Sequence, residues 1–560
     1  MFMIKNRMVA LMAFIGLVFI WVVDASVQED AIRITNLSDG RSIKQPRHPK
    51  LDGQLSNLIL EALYGHLQIP DPNLGKKISY YKGKDMPVVI EIRLLKPIGT
   101  AHLGTMIVRR AIEDVGGEIE AEAENLISAR LSPKAILTLV NNDFVQTIRL
   151  PLRPEIDTYI SEGVAAIGAN LWNALEPYRR LPRTIKIGIL DAGFKGYAGL
   201  LSSELPSNVN VRSFRPDGDI SANEVHGTAC AEIIYDMAPG AELFLVNATN
   251  EVTTRLAVDY LINQGVDIIS YSMGWKNAGA GDGTGPNCEI VKRATDRGIV
   301  WINSAGNETG KHWENVFTDS DNDKYLNFSG VDEILDFWVP SYTPVSVALN
   351  WDDWGIWNGL SYGGSRQDYD LDLYYWTGSK WIWVESSVRE QTGQQWPVEN
   401  IGGWYANFPT YWGVSIYRYS TTRNCKLELF VDGNSNNIQY NVPEGSLLTP
   451  SDASSALAIG AVSWLSDSYH SYSSRGPSHD GRIKPDFCAP SGVSGASYGI
   501  ENFYGTSASA PHVAGALGAV MLKLGCDAHQ AINLIRARII DLGAAGKDNF
   551  YGEGRINLKK

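Results

Sequence analysis

Between residues 185 and 307, short and nearly uninterrupted apolar runs alternate with helical stretches. Ile185–Leu190, Glu242–Val246, Ile268–Tyr271 and Ile299–Ile302 are rich in β-branched residues, and Gly227–Asp236 and Thr253–Gln264 lie between them as helix candidates. A strand that is apolar along its whole length is buried on both faces, and strands joined by helical crossovers pair in parallel. The stretch therefore predicts a parallel sheet covered by helices on both faces. At about residue 310 the texture changes. Eleven of the sixteen tryptophans fall between Trp313 and Trp412, alanine becomes scarce, and short alternating runs replace helical ones. That pattern predicts an all-β sandwich of roughly 130 residues. The α/β texture returns at Ser455–Val462 and continues through a helix-like stretch, Ser507–Leu524. The β module is therefore inserted within the α/β domain, not appended to it.

A chain of 560 residues exceeds one ordinary domain, so more segments are expected upstream. Val88–Leu94 reads as a strand, Leu103–Val115 as a helix, Glu118–Ala121 and Leu126–Ala129 as strands, Ser132–Val140 as a capped helix and Phe144–Leu150 as a strand. The order β-α-β-β-α-β is the ferredoxin-like plan. Further upstream, Lys5 and Arg7 precede an apolar run from Met8 to Val23, followed by Val23-Asp24-Ala25. This has the form of a signal peptide cut after Ala25, which implies secretion. An uncleaved N-terminal membrane anchor is the alternative, and no other stretch is long and apolar enough to cross a bilayer. The net charge of −13 argues against nucleic acid as a partner.

Three segments carry chemistry, in the order Asp, His, Ser. Ile187–Asp191 is an apolar strand ending in a carboxylate, followed by Ala192-Gly193. Strand carboxyl ends of this kind deliver side chains to the crevice beyond the sheet. In His226-Gly-Thr-Ala-Cys-Ala-Glu232 the histidine opens a helix. In Gly505-Thr-Ser507-Ala-Ser-Ala-Pro511-His-Val-Ala-Gly515 the serine sits at a helix start, where free N–H groups suit a developing oxyanion.

These segments, in this order, resemble the active-site motifs of the subtilisin-like serine peptidases. The resemblance spans about 180–307 and 450–560. It implies Ser507 as nucleophile, His226 as general base and acid, and Asp191 as the group that orients the imidazole. Trp301-Ile-Asn-Ser304-Ala-Gly306-Asn307 resembles the family's oxyanion-hole loop, with Asn307 as donor. Ser272-Met273-Gly274 looks like the edge that pairs with substrate backbone. Ser474–Pro477, Lys484–Asp486 and Gly552–Asn557 also fit. The ferredoxin-like unit is similar to the family's propeptides, an unrelated α/β module being the alternative. The implied layout is a signal peptide at 1–25, a propeptide region at 26–155 with its core at about 85–150, peptidase parts at 156–310 and 446–560, and the inserted β-sandwich at 311–445. The implied partners are protein or peptide substrates and the chain's own propeptide, an intramolecular inhibitor released by self-cleavage at about 150–165. The chemistry requires no cofactor. Departures from the family pattern are Ala192 after the Asp, Glu232 after the His, and Cys488 and Ser491 before the nucleophile. None touches a triad position.

The insert carries Asp319, Asp321 and Asp323 in one run, and Asp368, Asp370 and Asp372 on one face of an expected strand. A structural calcium ion would relieve such clusters, and a solvated acidic face is the competing reading. Cys230, Cys288, Cys425, Cys488 and Cys526 are scattered without a CxxC pair, which leaves one or two disulfides open and argues against a zinc site. His312, His470, His479 and His512 read as ordinary packing or surface residues. Asn307-Glu-Thr309 fits a glycosylation sequon that a sugar-blocked site would make useless. A rival class stays open: a secreted, non-catalytic binding or adhesion protein on a peptidase fold, with the aromatic insert as its working part. A processing enzyme of narrow specificity is a further reading.

Overall fold

A computed structural model describes residues 87–95, 101–151, 155–156, 163–174, 184–434, 437–497 and 499–559, with six positions between 49 and 59. The expected signal segment and the cut after Ala25 lie outside the described residues.

The N-terminal unit contains β1 (Val88–Leu94), β2 (Glu118–Ala123), β3 (Leu126–Leu131) and β4 (Val145–Arg149). They form an antiparallel sheet in the order β2-β3-β1-β4. Helices Ala101–Asp114 and Pro133–Leu139 pack on one face, and Ser132 caps the second by accepting from the Ala135 N–H at 3.3 Å. The two-residue period of β1 sorts its side chains. Val88, Ile90, Ile92 and Leu94 enter this unit's own core, while Glu91 and Arg93 are buried on the other side.

The peptidase-like part begins with β5 (Glu155–Ile156), β6 (Lys186–Asp191), β7 (Asn210–Ser213), β8 (Glu242–Asn247), β9 (Ile268–Tyr271), β10 (Met273–Gly274) and β11 (Val300–Ser304). The insert follows as β12 (His312–Val316), β13 (Leu335–Val339), β14 (Thr343–Trp351), β15 (Asp368–Trp376), β16 (Trp381–Ser387), β17 (Val398–Ala406), β18 (Thr410–Ser420) and β19 (Lys426–Asp432). The chain then returns with β20 (Ala456–Ser463), β21 (Phe487–Ser491), β22 (Val493–Gly495) and β23 (Gly499–Phe503).

The main sheet has seven strands in the order β21-β20-β11-β9-β6-β8-β7, all parallel. Ile187, Ile189, Leu243 and Leu245 face helices His226–Met237 and Thr506–Leu524. Leu190, Phe244, Val246 and Ile269 face helices Glu251–Gln264 and Pro286–Thr295. Both faces are thus dry, which is why the strands read as continuous apolar runs. The expected α/β sheet with an inserted sandwich and a ferredoxin-like unit is the architecture found.

The insert stacks sheet β12-β19-β14-β17 on sheet β13-β18-β15-β16. Trp313, Trp351, Trp404 and Trp412 lie in its core with Phe337 and Leu371. The remaining insert tryptophans are buried or half-buried. The dense aromatic texture is therefore spent on packing. Among the described residues, no helix is long and apolar enough to cross a membrane.

Candidate active site

Asp191 ends β6 at the carboxyl edge of the main sheet, and His226 opens helix His226–Met237 beside it. His226 Nδ1 lies 2.9 and 2.8 Å from the two Asp191 oxygens, and both side chains are buried. A carboxylate only accepts, so Nδ1 carries the hydrogen and Nε2 is the basic nitrogen. Gly227 permits this approach. A Cβ there would lie 2.6 Å from the Gly193 carbonyl oxygen and 2.8 Å from Asp191 Cβ. The Asp191 Oδ1 also accepts from the Ala192 N–H at 2.8 Å, so the backbone itself holds the carboxylate.

Ser507 is the second residue of helix Thr506–Leu524, which packs against the His226 helix in one core. One turn beyond His226, Cys230 Sγ stands 3.6 Å from the Ser507 carbonyl oxygen. The Ser507 hydroxyl donates to the Ser272 carbonyl at 3.3 Å, and the Ser272 hydroxyl donates to the Ser507 carbonyl at 3.0 Å. Asn307 follows β11. Its Oδ1 accepts from the Thr506 N–H at 3.0 Å and from the Thr506 hydroxyl at 3.2 Å. Because a backbone N–H can only donate, the amide is oriented, and Nδ2 is left buried with no hydrogen-bond partner among the described residues. A donor held this way is ready for an oxyanion.

The walls of the site are backbone edges. Strand β10 pairs antiparallel with β5, Met273 opposite Ile156 and Gly274 opposite Glu155. An extended segment of the chain itself thus lies on the edge expected for substrate. A Cβ on Gly274 would lie 2.5 Å from Leu448 Cβ, and one on Gly306 would lie 3.2 Å from Leu448 Cγ. Leu448 therefore fills the slot between the two glycine walls. Its backbone N–H donates to the Ala305 carbonyl at 3.3 Å, and the Trp275 N–H donates to the Thr449 carbonyl at 2.8 Å.

The sequence model of the Subtilase family matches residues 183–335 and 402–554, more than half of the chain. The chain belongs to the subtilase family. A 62-residue stretch is 42% identical to the extracellular serine protease of Serratia marcescens, covering 11% of this chain and 6% of that protein, far less than two thirds of its length. The CspB protease of Clostridium perfringens is similar in structure at a TM-score of 0.45 and 16% identity, covering 71% of this chain and 97% of that one. The epidermin leader peptide processing serine protease (EpiP) of Staphylococcus aureus gives 0.43 and 13%, covering 84% and 96%.

Other residues of this subtilase sort as follows. All five cysteines are free thiols, which resolves the disulfide question that the sequence left open. Burial pushes the Cys425 thiol up to about 12. Glu232 is buried and accepts from the N–H of Ser497 at 3.1 Å and from its hydroxyl. The carboxylate therefore anchors the turn between β22 and β23. Phe503 of β23 meets the His226 ring edge-on at 5.7 Å. His512 is buried, bonded through Nδ1 to the Ala508 carbonyl at 2.7 Å, and burial lowers it to about 4.

The two aspartate groups differ. Asp319, Asp321 and Asp323 bring carboxylate oxygens within 4.8 Å of one another. Arg418 also pairs with Asp319 at 2.7 Å. Asp368, Asp370 and Asp372 share the outward face of β15, as expected, but among the described residues they do not converge as a ligand set. Their side chains are buried, and Ser386 donates to Asp372. Asn307 is 6% exposed, so its sequon has no room for a sugar.

Three features escaped local reading. Thr506 orients Asn307, Leu448 fills the slot, and a buried network ties the insert to the site. Lys276 Nζ lies 3.2 Å from Glu308 and 2.7 Å from Asp432, and Lys311 Nζ lies 3.1 Å from Glu308. Burial works against the Asp432 carboxylate, but Lys276 and Lys311 outweigh it and hold the group well below the usual range.

Proposed function

We propose that this subtilase is a secreted serine endopeptidase made as a self-inhibited precursor. Ser507 turns its hydroxyl from Ser272 to His226 and attacks the scissile carbonyl. His226 Nε2 takes the proton and passes it to the leaving amine, while Asp191 holds the tautomer and stabilises the imidazolium. The Asn307 amide and the Ser507 N–H receive the oxyanion. Water, deprotonated by His226, then attacks the acyl carbonyl; the carboxylic acid product leaves and Ser507 recovers its proton. No step calls for a cofactor. The observation that carries this reading is Asn307, an amide pinned by Thr506 with its buried Nδ2 left over.

The β5–β10 pairing supports the precursor. It presents a mid-chain segment on the substrate edge, with chain on both sides, which suits endopeptidase action on extended protein substrates. Ion pairs support docking of the N-terminal unit. Arg93 meets Glu251 at 2.9 Å, and Arg149 meets Glu251 and Glu91 at 2.8 Å each. Both guanidiniums also stand over the Trp396 ring of the insert, at 5.0 and 5.4 Å. Calcium in the insert is proposed at the Asp319–Asp323 loop, where added Ca²⁺ should raise the melting temperature.

A fluorophosphonate probe tests the chemistry. An adduct on Ser507 of the processed protein, absent in Ser507→Ala, is expected. No adduct would favour the binding-protein class. The Ser507→Ala chain should stay unprocessed; maturation at the normal site would contradict self-cleavage.

A further inference from the structure

We propose that His312, Glu314, Glu428 and His479 form a binding site for a divalent transition-metal ion, zinc by donor chemistry, that clamps the β-sandwich to the peptidase domain. None of the four belongs to the candidate triad or to the candidate oxyanion hole. His312 and Glu314 share one face of β12, and Glu428 stands directly opposite Glu314 on β19. His479 comes from the loop between β20 and β21 of the peptidase part. Two carboxylates facing each other across neighbouring strands repel unless something positive lies between them.

The spacing fits a metal. His312 Nε2 is 3.2 Å from Glu428 Oε1, and His479 Nε2 is 3.3 Å from the same oxygen and 3.7 Å from Glu314 Oε2. Ligands about 2.0–2.1 Å from a tetrahedral zinc stand about 3.3–3.4 Å from one another. These three of the six edges run from 3.2 to 3.7 Å around that length, and His312, Glu314 and Glu428 bring ligand atoms within 4.8 Å of one another.

The hydrogen bonds around the group fit as well. His312 Nδ1 bonds the Val442 carbonyl at 2.6 Å, and His479 Nδ1 bonds the Ala280 carbonyl at 2.7 Å. A carbonyl only accepts, so both Nδ1 atoms carry hydrogen and both Nε2 atoms face the carboxylates. On neutral rings those lone pairs would confront carboxylate oxygens. Either both rings carry a second proton, or a cation joins the four groups. A backbone carbonyl on the far ring nitrogen is the usual support of a metal-bound histidine. Asn350 Nδ2 holds the other Glu428 oxygen at 2.5 Å and bonds Asn277 Oδ1 at 3.2 Å. Lys426 Nζ lies 2.7 Å from Glu314 Oε2 and would share that oxygen with the ion. Nitrogen and carboxylate donors in a small tetrahedral set favour zinc over calcium, which takes six or more oxygens. His312 is fully buried, but the His479 side chain is 25% exposed, which opens a path for entry.

The test uses the full chain, stripped with 1,10-phenanthroline, which spares calcium. Titration with Co²⁺ should give the visible absorption of a tetrahedral site, saturating at about one equivalent and bleached by Zn²⁺. Zn²⁺ should also raise the melting temperature by several degrees. His479→Gln, at the most exposed ligand, and Glu314→Gln should each lose the band and the shift while keeping the metal-free melting temperature within about 3 °C of the parent. A band that survives in both variants, or no band and no shift in the parent, overturns the proposal. The two-proton alternative predicts the second of these results.

Discussion

Asn307 Oδ1 accepts a 3.0 Å hydrogen bond from the backbone N–H of Thr506, 199 residues away. The whole β-sandwich lies in the chain between them. The bond joins the loop before the insertion to the helix that carries Ser507, so the long excursion leaves the site closed. The Thr506 hydroxyl reinforces it by accepting from the Gly306 N–H at 3.2 Å.

Replacing Asn307 with Ala should lower kcat about a hundredfold or more, the magnitude known for one such donor in subtilisin itself. KM should hardly change, because the oxyanion exists only in the transition state. Steady-state kinetics on a peptide substrate checks this, and an unchanged kcat would remove Asn307 from the oxyanion hole.

Leu448 should set the preference at the substrate position entering between Gly274 and Gly306. The parent should favour Gly, Ala or Ser there. Leu448→Gly should raise kcat/KM for a large apolar residue at that position by roughly tenfold to a hundredfold. Peptide-library profiling of both proteins reads the change; identical profiles would show that the slot lies elsewhere.

Glu251 bridges two guanidiniums, the buried Arg93 and the half-buried Arg149. Glu251→Ala leaves Arg93 and Arg149 short of an anion at the contact with the N-terminal unit, a change worth about 3–5 kcal/mol. In a Ser507→Ala background, amide hydrogen exchange in β1 and β4 should speed up. Protection equal to the parent's would show that the pairs do not hold the unit down.

Acid should loosen the insert. The folded Asp432 carboxyl lies well below its unfolded value of about 3.9. Its ion pairs therefore contribute fully above about pH 4 and are lost as pH falls through the folded value. Stability should be level from neutral pH to about pH 4 for this group and decline below. In Asp432→Asn the decline should be shallower and the neutral-pH stability lower. Denaturant melts across pH measure both, and parallel curves would refute the assignment.

Much of the site was legible because its signals are local. A strand that ends in Asp191, a helix that begins at His226 and another that begins beside Ser507 each announce themselves within a few residues. Strand β1 alternates by two, and the seven-strand sheet reads as dry runs, so both layers could be anticipated. Helix limits shifted by a residue or two, as when the Thr253–Gln264 expectation became Glu251–Gln264 with an Asn250 cap.

Other features depend on which distant strands become neighbours. His312 and His479 looked ordinary because nothing near either one points to the other, and their convergence on Glu428 depends on the seating of the sandwich. Asp368, Asp370 and Asp372 could be read as a ligand set or as a solvated acidic face, and the structure buries all three. By itself, then, the sequence determined the subtilase fold, the segments that carry Asp191, His226, Asn307 and Ser507, and the aromatic insert, since these follow from short motifs, periodicity and helix and strand ends. Only the tertiary structure decided that Leu448 fills the slot, that β5 lies on β10, that the thiols stay apart and that two histidines meet two glutamates. Those are contacts between segments scores of residues apart, and packing of whole layers, not local pattern, brings them together.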